Sequence, residues 1–128
     1  PMAVNVGNPH VIFFVDAVDT IDLERLGPVV ETDPLFPEKV NVNIAAIEDP
    51  HTIKLRVWER GVGLTLACGT GACATAVAAI RSGRAQSPVE VHLPGGKLRI
   101  SWQDGGPIEM QGPATHVFTG SADWSQFG

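Results

Sequence analysis

Basic residues are scarce in this chain: nine Lys and Arg stand against 14 Asp and Glu, for a formal charge of -5, and they are scattered. No stripe of positive charge exists to neutralise a phosphate backbone, so nucleic-acid binding is disfavoured, and the acidic balance serves solubility. Apolar runs are short, and none approaches the roughly 20 residues that span a bilayer. The opening segment PMAVNVGNPH has neither the charged region nor the apolar core of a secretion signal, so a cytoplasmic location and no membrane partner are expected. Cysteine is limited to Cys68 and Cys73, too few and too close for a disulfide framework, and both are expected as free thiols. The four histidines, His10, His51, His92 and His116, have neither helical nor Cys-paired spacing, so no metal set is expected. Gly-x-Ser-x-Gly elbows, dinucleotide fingerprints, Walker loops, repeats and low-complexity tracts are also missing.

What remains is 128 residues with 44% hydrophobic content, enough for one compact domain with its own core. The abrupt start at Pro1-Met2, running straight into a strand pattern, suggests part of a longer polypeptide. Val11 to Val15 is an apolar run after the turn signal Gly7-Asn8-Pro9 and predicts a buried strand. Asp19 to Val30 carries a Leu23, Leu26, Val30 pattern behind Asp22, which predicts a short amphipathic helix with Asp22 as its N-cap. Val40 to Ile44 alternates Asn41 and Asn43 with apolar residues, and His51 to Glu59 alternates Ile53, Leu55 and Val57 with polar neighbours; both predict strands. Solvent exposure accounts for the two asparagines.

Ala72 to Arg81 is nearly all Ala, Cys, Val and Ile, with helix-forming composition and apolar residues on every side. Such a helix belongs inside a protein, and it should stop near Ser82-Gly83. Beyond it, Val89–Leu93, Lys97–Trp102, Ile108–Gln111 and Thr115–Phe118 are short strand patterns joined by Gly- and Pro-rich hairpin connections, and Ser121 to Gly128 has the look of a frayed polar tail. The fold expected is α+β: a mixed, mostly antiparallel curled sheet wrapped around a central apolar helix.

The most informative stretch is Ala67-Cys68-Gly69-Thr70-Gly71-Ala72-Cys73-Ala74, where a loop becomes that buried helix. Unpaired backbone N–H groups and the positive end of the helix dipole favour an anion there, so a thiol at Cys68 would ionise more readily than a free one. The N–H groups of Gly69, Thr70 and Gly71 could also cradle a carboxylate, with glycine permitting close approach. The plainer alternative is that a cysteine near a helix start is a small hydrophobe, which is the reading adopted for Cys73. Asn8 and His10 offer a carboxamide and an imidazole at a strand entrance, though a turn Asn beside a satisfied surface His is the reading that pattern alone favours. Glu59-Arg60 could be an ordinary exposed charged pair, and Thr70 a capping hydroxyl.

Five fragments, GNPH at 7–10, FPEKVNVN at 36–43, WERGVG at 58–63, ACGTGACA at 67–74 and GPATHVF at 112–118, resemble in order and spacing the second half of diaminopimelate epimerases. The resemblance implies that residues 1–128 form one domain, the C-terminal of two pseudo-symmetric halves, with the active site in the cleft between them. It implies a cofactor-independent two-base epimerisation of LL-diaminopimelate to meso-diaminopimelate, in lysine and cell-wall precursor biosynthesis. Cys68 matches one of the two catalytic cysteines, and the other belongs to an N-terminal half absent from this chain, so the isolated chain is expected to be inactive. Carried over by position, Asn8, Asn41, Glu59, Arg60, Gly69 and Thr70 match substrate-binding residues, and His10 and Glu59 match residues that tune cysteine protonation. Phe118 matches an aromatic near a dimer contact, which implies a homodimer. Leu64 departs from the Glu that many members carry there and receives no role. Competing readings are a proline racemase-like enzyme, a phenazine-type isomerase, or an inactive half that only binds amino-acid carboxylates; WERGVGLTLACGTG follows the diaminopimelate pattern.

Overall fold

A computed structural model describes residues 2–6, 9–18, 41–59, 63–65, 69–111, 117–120 and 123–126. Ten strands and one helix occur among them. In chain order they are β1 (Met2–Asn5), β2 (Pro9–Phe14), β3 (Asn41–Asp49), β4 (Thr52–Glu59), β5 (Gly63–Thr65), helix α1 (Gly69–Arg81), β6 (Val89–Leu93), β7 (Gly96–Ser101), β8 (Ile108–Gln111), β9 (Val117–Gly120) and β10 (Asp123–Gln126). The strands form one sheet in the order β10-β1-β2-β3-β4-β6-β7-β8-β9, with β5 also on β4. Only β2–β3 and β4–β6 are parallel. A parallel pair needs a long crossover, and between β4 and β6 that crossover carries α1.

Every residue of α1 from Gly71 to Ala79 is buried, as expected of a helix without a polar face. It packs against β1, β2, β3, β4, β6, β7 and β8, so the sheet bends around it. Ala72, Ala74, Ala76, Ala78 and Ala79 are all fully buried, and their small side chains let strands approach from several directions at once. Ile12, Ala45, Ile53, Leu55, Val57, Val91 and Ile100 supply the sheet's side of this core.

The helix ends as its sequence predicts. Gly83 has a φ of 77°, its N–H donates to the Ile80 carbonyl, and the Arg84 N–H donates to the Ala79 carbonyl. This pair of bonds satisfies carbonyls that a helix end leaves without partners. The Ser82 hydroxyl donates to the Ala78 carbonyl at 2.7 Å and adds to the closure.

Two expectations fail. The frayed tail contains β10, which pairs antiparallel with β1 from Met2 opposite Gln126 to Asn5 opposite Asp123. β1 has one edge on β2, and pairing with β10 satisfies the polar groups of its other edge. The second failure concerns Asn41 and Asn43, which are not solvent-exposed but 1% and 0% exposed. Alternation along β3 is as expected, but the opposite face is covered as well: Val11, Val18, Val42, Ile44 and Ala46 form a second buried cluster. β2 and β3 are therefore buried on both faces, which also explains the unbroken apolar run Val11-Ile12-Phe13-Phe14. The helix expected over 19–30 lies outside the described residues.

The close approach of sheet to α1 generates a stability prediction. Ala76→Leu should force the sheet outward and cost about 1–3 kcal/mol. A lower urea midpoint with an unchanged denaturant slope is the expected result, and an unchanged midpoint would show that space exists around Ala76.

Candidate functional site

The entrance of α1 meets the start of β2 and β3. In the β2–β3 register His10 lies beside Asn41. His10 and Asn43 face the helix rather than the second cluster, because they share the alternation of Ile12 and Ala45 in the main core. A polar cluster forms there inside an otherwise apolar interface.

His10 is 1% exposed, which corrects its reading as a surface residue. Its Nδ1 lies 3.0 Å from Oδ1 of Asn43, and its Nε2 lies 3.3 Å from the Thr70 hydroxyl in the first turn of α1. The Asn43 amide nitrogen donates to the Gly71 carbonyl and to the Thr75 hydroxyl, each at 3.0 Å. Asn41 donates to the Pro9 carbonyl at 3.1 Å, tying β3 to the first residue of β2. Burial makes each of these partners necessary, since an unmatched polar group here would cost about 1–3 kcal/mol.

The first turn of α1 contains no acidic residue. Its leading N–H groups have no intrahelical acceptors, so the positive end of the helix is not neutralised by its own side chains. An anion placed there would be favoured. Gly69 is the first helical residue, and a Cβ on it would come within 3.2 Å of Met110 Cε and 3.3 Å of its Sδ. The flexible end of Met110 thus backs the helix start. Met110 also lies 3.9 Å from the Cys73 thiol, which is 1% exposed and behaves as the small hydrophobe expected of it.

The structure brings His10, Thr70 and Gly69 to the helix entrance, with Asn41 in register beside His10. Glu59 is the last residue of β4, opposite Gly63 of β5, and Leu64 lies opposite Trp58. Phe118 falls on β9, the terminal strand of the sheet, in register with Met110. Cys68, Asn8 and Arg60 lie outside the described residues; in sequence, Cys68 is the residue immediately before α1. Two participants escaped the sequence reading, Asn43 and Thr75. A signal for both existed: Asn43 shares its strand face with Asn41, and Thr75 is a hydroxyl within a helix that has no exposed side.

His51 and His92 stand apart from this cluster. The His51 ring contacts the carbonyls of Gln86 and Pro88, and His92 pairs with Glu90 on the surface. Among the described residues, no helix is long and apolar enough to cross a membrane.

Comparison with known proteins gives this architecture a lineage. A family model described as "Diaminopimelate epimerase" matches residues 2–117. A diaminopimelate epimerase of Rhizorhabdus wittichii is 66% identical over 128 residues, covering 100% of this chain and 47% of the relative. One from Sphingopyxis alaskensis is 65% identical over 126 residues, covering 98% of this chain and 47% of the relative. The chain thus spans about half the length of these curated relatives. Among solved structures, a phenazine biosynthesis protein of the PhzF family from Bacillus anthracis superposes with a TM-score of 0.59 at 18% identity, covering 86% of this chain and 40% of its own. A PhzF-family protein from Enterococcus faecalis gives 0.63 at 13% identity, covering 84% and 41%. At those identities the likeness is one of fold, whereas the family match and the two close relatives carry descent: the chain belongs to the diaminopimelate epimerase family.

Proposed function

We propose that this chain is the half of a two-base epimerase that supplies Cys68 as one of two thiol acid–bases, acting on LL-diaminopimelate to give the meso form. The observation that carries this reading is the construction of the helix entrance. It has no acidic residue in its first turn, a glycine at its first position and a part-buried His10–Thr70 contact holding its first turn against β2. A thiolate and a substrate carboxylate are the anions that such an end would favour, and Cys68 immediately precedes it in sequence.

In the proposed reaction one thiolate removes the proton from the substrate α-carbon, and the C–H electron pair stays behind on that carbon. A thiol on the opposite face then delivers its own proton to the same carbon. One stereocentre is inverted, one thiol becomes a thiolate and the other the reverse, so atoms and charge balance without an oxidant or a cofactor. Because a thiolate is a weak base towards a carbon acid, the site must stabilise the developing negative charge and exclude water. Helix-end dipoles would supply part of that stabilisation.

Within this proposal Gly69 and Thr70 offer backbone N–H groups to the α-carboxylate, and Arg60 grips a carboxylate through a bidentate pair. Asn8, Asn41 and Glu59 complete the substrate contacts on this half. His10 and Glu59 tune the thiol, keeping one base ionised while its partner holds a proton. The second thiol comes from the complementary N-terminal half. We extend the proposal to a cytoplasmic homodimer with Phe118, on the terminal strand β9, near the contact.

Two measurements test the reading. In the full-length protein in heavy water, NMR should show loss of the α-hydrogen of diaminopimelate but not of proline. Cys68→Ala should slow that loss by on the order of 10²–10⁴-fold. Exchange of proline would overturn the substrate, and exchange undiminished by the substitution would overturn the base. Cys68 should also react with iodoacetamide faster than Cys73, which is 1% exposed; equal rates would argue against an accessible thiolate at Cys68.

A further inference from the structure

We propose that Asn43 is a positioning residue: its carboxamide fixes His10 as the Nδ1–H tautomer and thereby presents Nε2 as an acceptor to Thr70 at the helix entrance. The proton on Nδ1 follows from hydrogen-bond geometry alone, the acceptor role of Nε2 follows for a neutral ring, and the value of both to catalysis rests on the epimerase reading above.

The argument starts at Gly71. A backbone carbonyl can only accept, so the Asn43 atom 3.0 Å from it must be the amide nitrogen. The second proton of that nitrogen goes to the Thr75 hydroxyl oxygen, also at 3.0 Å. With both amide protons committed on one side, Oδ1 faces the other way, 3.0 Å from His10 Nδ1. An amide oxygen carries no proton, so Nδ1 must carry one. In a neutral imidazole Nε2 then holds a lone pair, and at 3.3 Å the Thr70 hydroxyl donates to it.

Donation therefore runs in one direction, from Thr70 to His10 to Asn43 to Gly71. It begins and ends in the first turn of the same helix and passes through both parallel strands on the way. His10, Asn43 and Thr75 are at most 1% exposed, so water cannot easily substitute for a missing member. With the ring neutral, reversing one link would place two acceptors or two donors face to face at the next. The chain thus ties the orientation of the Thr70 hydroxyl, beside the proposed carboxylate-binding amides, to a backbone carbonyl. A neutral imidazole of defined tautomer also adds no fixed cation beside a helix end whose dipole is already positive.

The experiment is a two-bond ¹H–¹⁵N correlation spectrum of histidine-labelled full-length protein at neutral pH, with α-hydrogen exchange measured on the same samples. Wild type should show His10 protonated at Nδ1 only. Thr75→Val, which keeps the Gly71 anchor, should retain that signature. Asn43→Val should lose the fixed tautomer and lower kcat by on the order of 10–100-fold with little change in KM. An Nε2–H or doubly protonated His10 in wild type would overturn the proposal, as would loss of the signature in Thr75→Val. It would also fall if Asn43→Val kept either the Nδ1–H signature or full kcat. Should Asn43→Val fail to fold, the wild-type and Thr75→Val spectra still decide the tautomer. If wild type shows the Nδ1–H signature yet exchanges no diaminopimelate, the assignment to Asn43 stands and the epimerase reading is what fails.

Discussion

A helix with no polar side cannot rest on a surface, and α1 obliges the whole sheet to curl. Seven strands contact it, from β1, next to one end of the sheet, to β8, next to the other. Alanine dominates its buried positions, so the cost of surrounding it is paid in side-chain size rather than in polar compensation. Burying apolar surface at roughly 25 cal/mol per Å² drives the enclosure, and the parallel β4–β6 pair follows because the crossover runs through the enclosed helix.

Enclosure makes the two ends of the helix chemically different. At the C-terminal end, Gly83 in left-handed conformation and the Ser82 hydroxyl close the last carbonyls within the local chain. At the N-terminal end the first turn has no acidic residue, and it is held instead by side chains from β2 and β3. One end is closed by the local chain, while the other is held by side chains from the sheet. Polar residues within the core are accordingly found at that second end: His10 and Asn43 face the helix there, and Thr75 meets Asn43 one turn further in.

Period and composition were enough to read most of this architecture from the chain. Alternation located β4 and β6 to β8 to within a residue and the start of β3, which runs on to Asp49 past the expected end at Ile44, and the all-round apolar character of Ala72 to Arg81 announced a central helix. β10 was missed because Asp123-Trp124-Ser125-Gln126 has a single apolar residue, and its strand character comes from the unpaired edge of β1. β5 was missed because three residues cannot display a period. The error at Asn41 and Asn43 has a different origin. Alternation tells which residues share a face but not what lies against that face, and here polar residues point at the helix while apolar ones are covered on the other side. The lone threonine of the buried helix was the available hint, since a hydroxyl with no route to water implies a polar neighbour.

The proposed two-base reaction needs acid–base groups on two opposite faces of one carbon, and this limits what one enclosed helix can do. α1 has one N-terminal end, beginning at Gly69. The other cysteine of the chain, Cys73, sits four residues past the helix start, fully packed and in contact with Met110, on the wrong side of the backbone donors that would hold the substrate. A second turn of the same helix cannot reach around to the far face of a ligand bound at the first, because successive turns advance only about 5.4 Å along one axis. A second helix entrance, facing the first across the substrate, is a geometry that would meet the demand of the proposed reaction.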